Sequence, residues 1–348
     1  MKKKVGVIFG GHSSEYSVSL ASATSVIKSI NKDKYDILMI GITEVGDFYL
    51  YNGEIDQIEK DNWFNSDTCQ RITISANRSD HGIILLDTNV VIKLDIVFPV
   101  LHGQNGEDGR LQGLLELAGI KYVGCDMMSS ALCMDKYLAH KLVSYEGILT
   151  PLSLLFNKNS NYTTIEEQVK KLNFPLFVKP LKAGSSFGIT KIASIDGLAK
   201  AIEEAFKYDN KIIIEENIDG FEVGCAILGN DELIIGEVDE IELENGFFDY
   251  YEKYNLKTSK IHLPARISES ERQRIKETAL NIYKTLGCSG FARVDMFYTP
   301  DHKIIFNEVN TIPGCTSHSR YPNMLKTIGI SFADVVNRLI ELGDVYEN

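Results

Sequence analysis

Residues 291–310 read FARVDMFYTPDHKIIFNEVN. Two mostly apolar runs flank a short turn around Pro300-Asp301-His302, which predicts a hairpin of strands at 290–298 and 303–310. Such a hairpin sets Asp295 beside Glu308 and Asn310, and positions 308 and 310, two apart, point to the same face. Two carboxylates and an amide oxygen on one sheet face make a hard-oxygen site, which suits Mg²⁺ held together with nucleotide phosphates. A charged, solvated face would explain any one of these residues. It explains poorly why Asp and Glu interrupt apolar strands at matching positions.

Working outward, the segment after the hairpin reads TIPGCTSHSR (311–320). A hydroxyl-rich turn ending in Arg320 is suited to hold a carboxylate or phosphate beside the metal, although an exposed loop would read the same way. Upstream, KPLKAGSSFG (179–188) places a lysine at the end of an apolar strand, before a Gly/Ser turn. Backbone N–H groups of such a turn cradle phosphate oxygens. The lysine comes first, so this is not a Walker A loop, and alone it reads equally as a hairpin turn. LHGQNGEDG (101–109) lies at the carboxyl end of a predicted strand, where open α/β sheets bind ligands, with His102 as a candidate contact. GGHSSE (10–15) follows the first strand. There Glu15 either binds a substrate ammonium or favours the helix dipole behind a Ser13 or Ser14 cap. The spacing lacks the G-x-G-x-x-G order of a dinucleotide site. Between 242 and 261 lies a polar, aromatic stretch of weak periodicity, long enough to suggest a functional lid.

The whole chain has 348 residues, too many for one ordinary core. Strand and helix signals alternate through the first part, predicting a parallel α/β sheet with helices on its faces. A helix over 129–145 leads out of it, a small second unit follows, and a third opens with the strand 212–216. The predicted architecture is three-domain α/β: 1–126, 127–211 and 212–348, the last carrying a lid at 244–260. A net charge of −12 argues against a nucleic-acid partner but not against a small anion in a locally basic or metal-filled site. The six cysteines form no C-x-x-C pair and read as reduced thiols. No run reaches the length of a membrane span, and the apolar run at 5–9 is too short for a signal peptide, so a cytoplasmic location is expected.

Taken together and in order, GGHSSEYSVSL, LHGQNGEDGRLQG, CMDKYLAHKL, FVKPLKAGSSFGITK, the EKY segment, RVDMF and NEVNTIPGCTSHS resemble the D-alanine–D-alanine ligase family of the ATP-grasp fold. The resemblance spans almost the whole chain. It implies ATP gripped between the second and third domains. Glu15 would hold the ammonium of the first D-amino acid. Lys136, Lys179 and Lys253 would serve ATP, with Glu215, Asn217, Ile218 and Glu222 on its adenine and ribose side. Asp295, Glu308 and Asn310 would hold two Mg²⁺, or Mn²⁺ in their place. Arg293 and Gly314 would stabilise the oxyanion, and Ser319 would hold the second substrate's carboxylate. Tyr254 of the lid would join Glu15 and Ser185 in a hydrogen-bonded triad. A homodimer is the family-level expectation.

Three positions depart from the family pattern: Ser17 where an acidic residue is usual, Ala183 where glutamate is frequent, and Arg320 where many members carry leucine. SHSRYP with KAGSSFG and FFDYYEKYNL resembles the vancomycin-resistance ligases of the VanG and VanC type, which make D-alanyl-D-serine. Arg320 would then favour D-serine over D-alanine at the second subsite. The chemistry so implied is γ-phosphoryl transfer to a carboxylate, then attack by an amine. It needs positioning and charge neutralisation rather than a protein nucleophile.

Overall fold

The apolar run behind the N-terminal lysines forms β1 (Lys3–Gly10), which pairs in parallel with β2 (Tyr35–Ile42) on one side and β7 (Ile96–Val100) on the other. The structure, a computed structural model, describes residues 2–184, 187–243 and 259–345. α1 (Tyr16–Ser29) crosses between β1 and β2, burying Leu20, Ala23, Val26 and Ile27 at helical spacing. The expected parallel sheet is confined to these three strands. β3 (Phe48–Tyr51), β4 (Cys69–Ile74), β5 (Gly82–Leu85) and β6 (Val91–Lys93) extend it antiparallel, in the order β6-β5-β4-β3-β2-β1-β7. These strands are short, which left little periodicity to read.

α2 (Asp56–Glu59) and α3 (Arg110–Ala118) complete this layer. The single helix expected over 129–145 is two, α4 (Met127–Met134) and α5 (Lys136–Tyr145). Asp135 between them takes an extended backbone and caps α5 by accepting from the Leu138 N–H at 3.1 Å. The break makes Lys136 the first residue of α5 and buries its stem.

A four-stranded sheet follows, ordered β10-β9-β11-β8, from β8 (Ser153–Asn157), β9 (Leu176–Pro180), β10 (Thr190–Ile192) and β11 (Lys211–Glu216), with α6 (Tyr162–Val169) and α7 (Leu198–Ala205). The strand expected to open the third unit, β11, belongs here. It pairs with both β8 and β9, setting Ile213 opposite Lys179. Conversely, α4 and α5 pack on the next sheet: Cys133, Ala139 and Val143 share a core with its strands. The expected boundaries at 127 and 212 thus differ from the packing, because sheet pairing and helix docking reach across the chain order.

The third sheet contains β12 (Phe221–Leu228), β13 (Ile234–Ile235), β14 (Asp239–Leu243), β15 (Ser259–His262), β16 (Phe291–Tyr298) and β17 (Ile304–Asn310). α8 (Glu269–Thr285) covers one face. α9 (Arg320–Thr327), which opens where the expected 311–320 turn ends, packs on the other through Tyr321, Met324 and Leu325. α10 (Phe332–Val345) returns to the N-terminal layer, where Asn337 donates to the Ser29 carbonyl at 3.0 Å.

Candidate active site

The β16–β17 hairpin forms in the expected register. Asp295 pairs with Glu308 and Arg293 with Asn310, and a bulge between Asp295 and Met296 shifts the pairing beyond. On β17 the bulge lets Phe306 and Val309 both face the core, while Glu308 and Asn310 face the cleft. Asp295 is buried and receives a fork from Arg293, Nε to Oδ1 at 2.8 Å and a terminal nitrogen to Oδ2 at 2.7 Å. The Asn310 amide donates to Oδ2 at 2.9 Å, and Lys136 Nζ stands 3.7 Å from Glu308. Among the described residues no group of three His, Cys, Asp or Glu side chains makes a metal cage. The donor set is two carboxylates and one amide oxygen, which fits an ion that takes its remaining ligands from phosphates and water.

A cavity of about 430 Å³ lies between the four-stranded sheet and this hairpin, lined by Lys136, Lys179, Glu215, Asn217, Ile218, Glu222 and Glu308. Six residues expected to meet ATP therefore converge. Lys179 donates to Glu215 at 2.6 Å. Burial works to raise the Glu215 pKa, but the charge and hydrogen bond of Lys179, with Lys136 nearby, outweigh it and hold the carboxyl below its usual value. Lys253, Tyr254 and Ser185 lie outside the described residues, as does most of the lid at 244–260.

Lys136, Ala183 and Glu308 also line a second cavity of about 560 Å³, so the two adjoin. Its wall includes Glu15, His102, Glu107, Gly184, Arg293, Asn310, Gly314, Ser319 and Arg320. Glu15 precedes α1, with neither Ser13 nor Ser14 capping by a side-chain bond. Ser13 instead accepts from the Glu15 N–H and donates to the His102 carbonyl. A Cβ at Gly103 or Gly184 would sit 2.3 or 2.2 Å from Glu15 Oε2, so two glycines from different sheets leave room for this carboxylate. Ser319 accepts from the Thr316 N–H at 3.0 Å and precedes α9.

His102 corrects the sequence expectation. Nδ1 lies 2.9 Å from the Ile312 carbonyl and must donate to it, and Nε2 accepts from Ser22 at 2.9 Å. Burial lowers its pKa to about 4, so the ring is neutral with both nitrogens engaged inside the protein, not on substrate. Glu107, which sequence reasoning left out, holds the other end of the same peptide. It accepts from the Ile312 N–H and the Gly103 N–H, both at 2.9 Å. Burial, then the Glu15 charge, raises its pKa to about 8. Its only signal in the sequence was a carboxylate within the glycine-rich 101–109 segment.

Family models described as D-ala D-ala ligase N-terminus and D-ala D-ala ligase C-terminus match residues 4–125 and 147–341. The chain belongs to the D-alanine–D-alanine ligase family. It is an ATP-dependent ligase of mixed α/β architecture matching ATP-grasp structures. The solved VanG D-Ala:D-Ser ligase from Enterococcus faecalis is 57% identical, with a TM-score of 0.92 over 99% of this chain and 100% of that one. The vancomycin C-type resistance protein VanC2 of Enterococcus casseliflavus is 43% identical over 98% of both chains. A D-alanine–D-alanine ligase of Caldicellulosiruptor bescii is also 43% identical, over 98% of this chain and 95% of its own.

Within this ligase scaffold, Arg320 is the departure that the structure resolves most sharply. Its guanidinium forks onto buried Asp239, Nε at 2.7 Å and a terminal nitrogen at 2.8 Å, while the other terminal nitrogen donates to Glu222 at 2.7 Å. Asp295 stands 3.3 Å away. A Cβ at Gly224 would lie 2.3 Å from the guanidinium, so the absence of a side chain there opens the socket. The guanidinium is thus a fixed, ion-paired part of the second cavity's wall. Glu222 likewise faces the nucleotide cavity while bound to Arg320.

Proposed function

We propose that this ligase joins D-alanine to D-serine, making a dipeptide for cell-wall precursors of the vancomycin-resistance type. The observation that carries the choice is the wall of the second cavity: next to Ser319 it presents Arg320, held from behind by buried Asp239, rather than an apolar side chain. A hydroxymethyl group can accept a hydrogen bond from such a guanidinium, and a methyl cannot. The 57% identity to the VanG ligase supports the same reading. The equal identities of VanC2 and a D-alanine–D-alanine ligase keep the housekeeping activity as the alternative.

In this reading ATP occupies the cavity between Lys179, Glu215 and the hairpin. Lys136 and Lys179 neutralise its phosphates, and Asp295, Glu308 and Asn310 would hold Mg²⁺, which would supply charge neutralisation at the transferring phosphoryl group. Glu15 orients the ammonium of D-alanine, whose carboxylate takes the γ-phosphoryl group and leaves ADP. Ser319 holds the second amino acid by its carboxylate. Its neutral amine attacks the acyl phosphate, Arg293 and the Gly314 backbone meet the oxyanion, and phosphate departs. For Arg293 this requires leaving its fork on Asp295. No described helix is long and apolar enough to cross a membrane. Cytoplasmic location and a homodimer belong to the same proposal.

The test is product analysis with D-alanine and D-serine in competition, ATP and Mg²⁺ in excess. D-alanyl-D-serine should dominate, with ADP and phosphate as co-products. Exclusive D-alanyl-D-alanine would return the chain to the housekeeping class, and AMP with pyrophosphate would overturn the acyl-phosphate route.

A further inference from the structure

His140 is buried behind Glu215, which lines the nucleotide cavity, and neither the site roles implied by the family resemblance nor the mechanism above uses it. It projects from α5 between two sheets. Nε2 lies 2.7 Å from the Asn307 carbonyl on β17, and the ring stands edge-on to Phe306 at 5.3 Å between centroids. A carbonyl oxygen only accepts, so Nε2 carries the hydrogen. Nδ1 then faces Glu215 Oε1 of β11 at 3.6 Å, too far for a hydrogen bond, and neither atom has another partner among the described residues. With a neutral ring these are two lone pairs face to face. A proton on Nδ1 converts them into a charge-assisted hydrogen bond.

The other oxygen of Glu215 holds Lys179 at 2.6 Å. The charged groups facing the ring are Glu215 on β11, Lys179 on β9 and Lys136 on its own helix. Burial pulls the imidazole pKa down, and the two ammonium groups add to this against the opposing pull of Glu215. Lys179 is therefore parked on the carboxylate in a way that keeps His140 neutral. Anionic phosphates arriving in the cavity draw Lys179 from Glu215 and leave that buried carboxylate short of a partner, which is costly.

We infer that His140 is a positioning residue for the nucleotide: when ATP takes Lys179, Nδ1 gains one proton from solvent and donates it to Glu215 Oε1, holding that carboxylate against the cavity wall. The step moves one proton from buffer to the ring and breaks no covalent bond. It rests on the nucleotide reading given under Proposed function.

Calorimetric titration of the full chain with ATP and Mg²⁺, near neutral pH in two buffers of different ionisation enthalpy, counts the protons taken up. Wild type should take up more than His140→Phe, which keeps the ring packing and loses both nitrogens. That variant should also bind ATP about tenfold more weakly, the order expected for a lost charge-assisted hydrogen bond. His140→Asn places an amide N–H where Nδ1 sits. It should keep affinity close to wild type while losing the proton uptake, a separation that a purely structural role would not produce. If His140→Phe fails to fold, ¹⁵N shifts of the wild-type imidazole with and without ATP read the same protonation. Equal proton counts in wild type and variants, or a ring unchanged by ATP, would overturn the inference alone. Absence of ATP binding to wild type would overturn the nucleotide reading with it.

Discussion

The core beneath the N-terminal sheet does not end with that sheet. Val5, Val7 and Phe9 of β1 and Phe98 of β7 share one cluster with Ala226 and Leu228 of β12, Phe291 of β16, Tyr321 and Met324 of α9, and Leu339 and Ile340 of α10. Phe291 is central to the junction, its ring 6.3 Å from Phe98 and 5.8 Å from Tyr321. The four-stranded sheet is built otherwise. Phe156, Val178, Ile202, Ile212 and Ile214 close a core whose members all come from that unit. The first and third sheets are thus welded through shared apolar burial, while the middle one stands on its own. Glu15, Asp295, Glu308, Ser319 and Arg320 ride on the welded body. Lys179, Gly184 and Glu215 ride on the other, and both cavities lie at or near the seam.

The largest effect that can break this comparison is on stability. Phe291→Ala empties the junction and should cost about 3–5 kcal/mol, whereas Ile214→Ala should cost about 2–5 kcal/mol in the separate core. Native-state hydrogen exchange distinguishes them. Phe291→Ala should lower protection in β1 and β16 together, and Ile214→Ala chiefly in β8–β11. Equal loss in β16 from both variants would mean the cores are coupled.

Glu107 sharpens the comparison from inside the welded body, since it links Gly103 to Ile312 across the weld. Its carboxyl titrates near 4.5 unfolded and at about 8 folded, so the folded state binds the extra proton between these values. Its contribution to stability is fully present below pH 4.5 and is lost as pH rises through about 8, by a few kcal/mol at 1.36 kcal/mol per unit. Denaturant melts across this window should show the decline, and Glu107→Ala should flatten it. A wild-type profile that rises from pH 5 to 8 with the same slope in the variant would exclude Glu107 as the source.

Glu308→Gln changes a cleft-facing charge without touching either core. Turnover should fall about 100-fold, or about 2.7 kcal/mol, with the melting temperature unchanged. Wild-type turnover at limiting Mg²⁺ would remove Glu308 from the metal reading. The smallest effect is on selectivity. Arg320→Leu, made together with Asp239→Asn so that no buried carboxylate is left unpaired, should lower the D-serine to D-alanine ratio of second-site kcat/KM about tenfold. If both substrates weaken in step, the pair anchors the carboxylate of either one.

The hairpin at 291–310 was legible because strand period and turn chemistry are local. Asp295, Glu308 and Asn310 meet as their spacing requires. Lys136, Lys179 and Glu215 were legible through motif resemblance, and they line one cavity although they lie on α5, β9 and β11. Helix α9 was not, because its start at Arg320 follows a turn whose serine and proline content reads as loop. The break at Asp135 was missed because one residue's backbone conformation, fixed by a cap, decides it.

The sequence alone determined the hairpin that carries Asp295, Glu308 and Asn310, and the family, each a matter of residue type at short spacing or of motifs in order. The tertiary structure decided the partners. It gave β11 to the middle sheet, α4 and α5 to the third and α10 to the first. It took both nitrogens of His102 for the Ile312 peptide and Ser22, paired Arg320 with Asp239, and set His140 against Glu215. Such pairings join residues up to 210 positions apart. They follow from which buried polar groups find each other once the sheets have packed, and no local period in the chain encodes that.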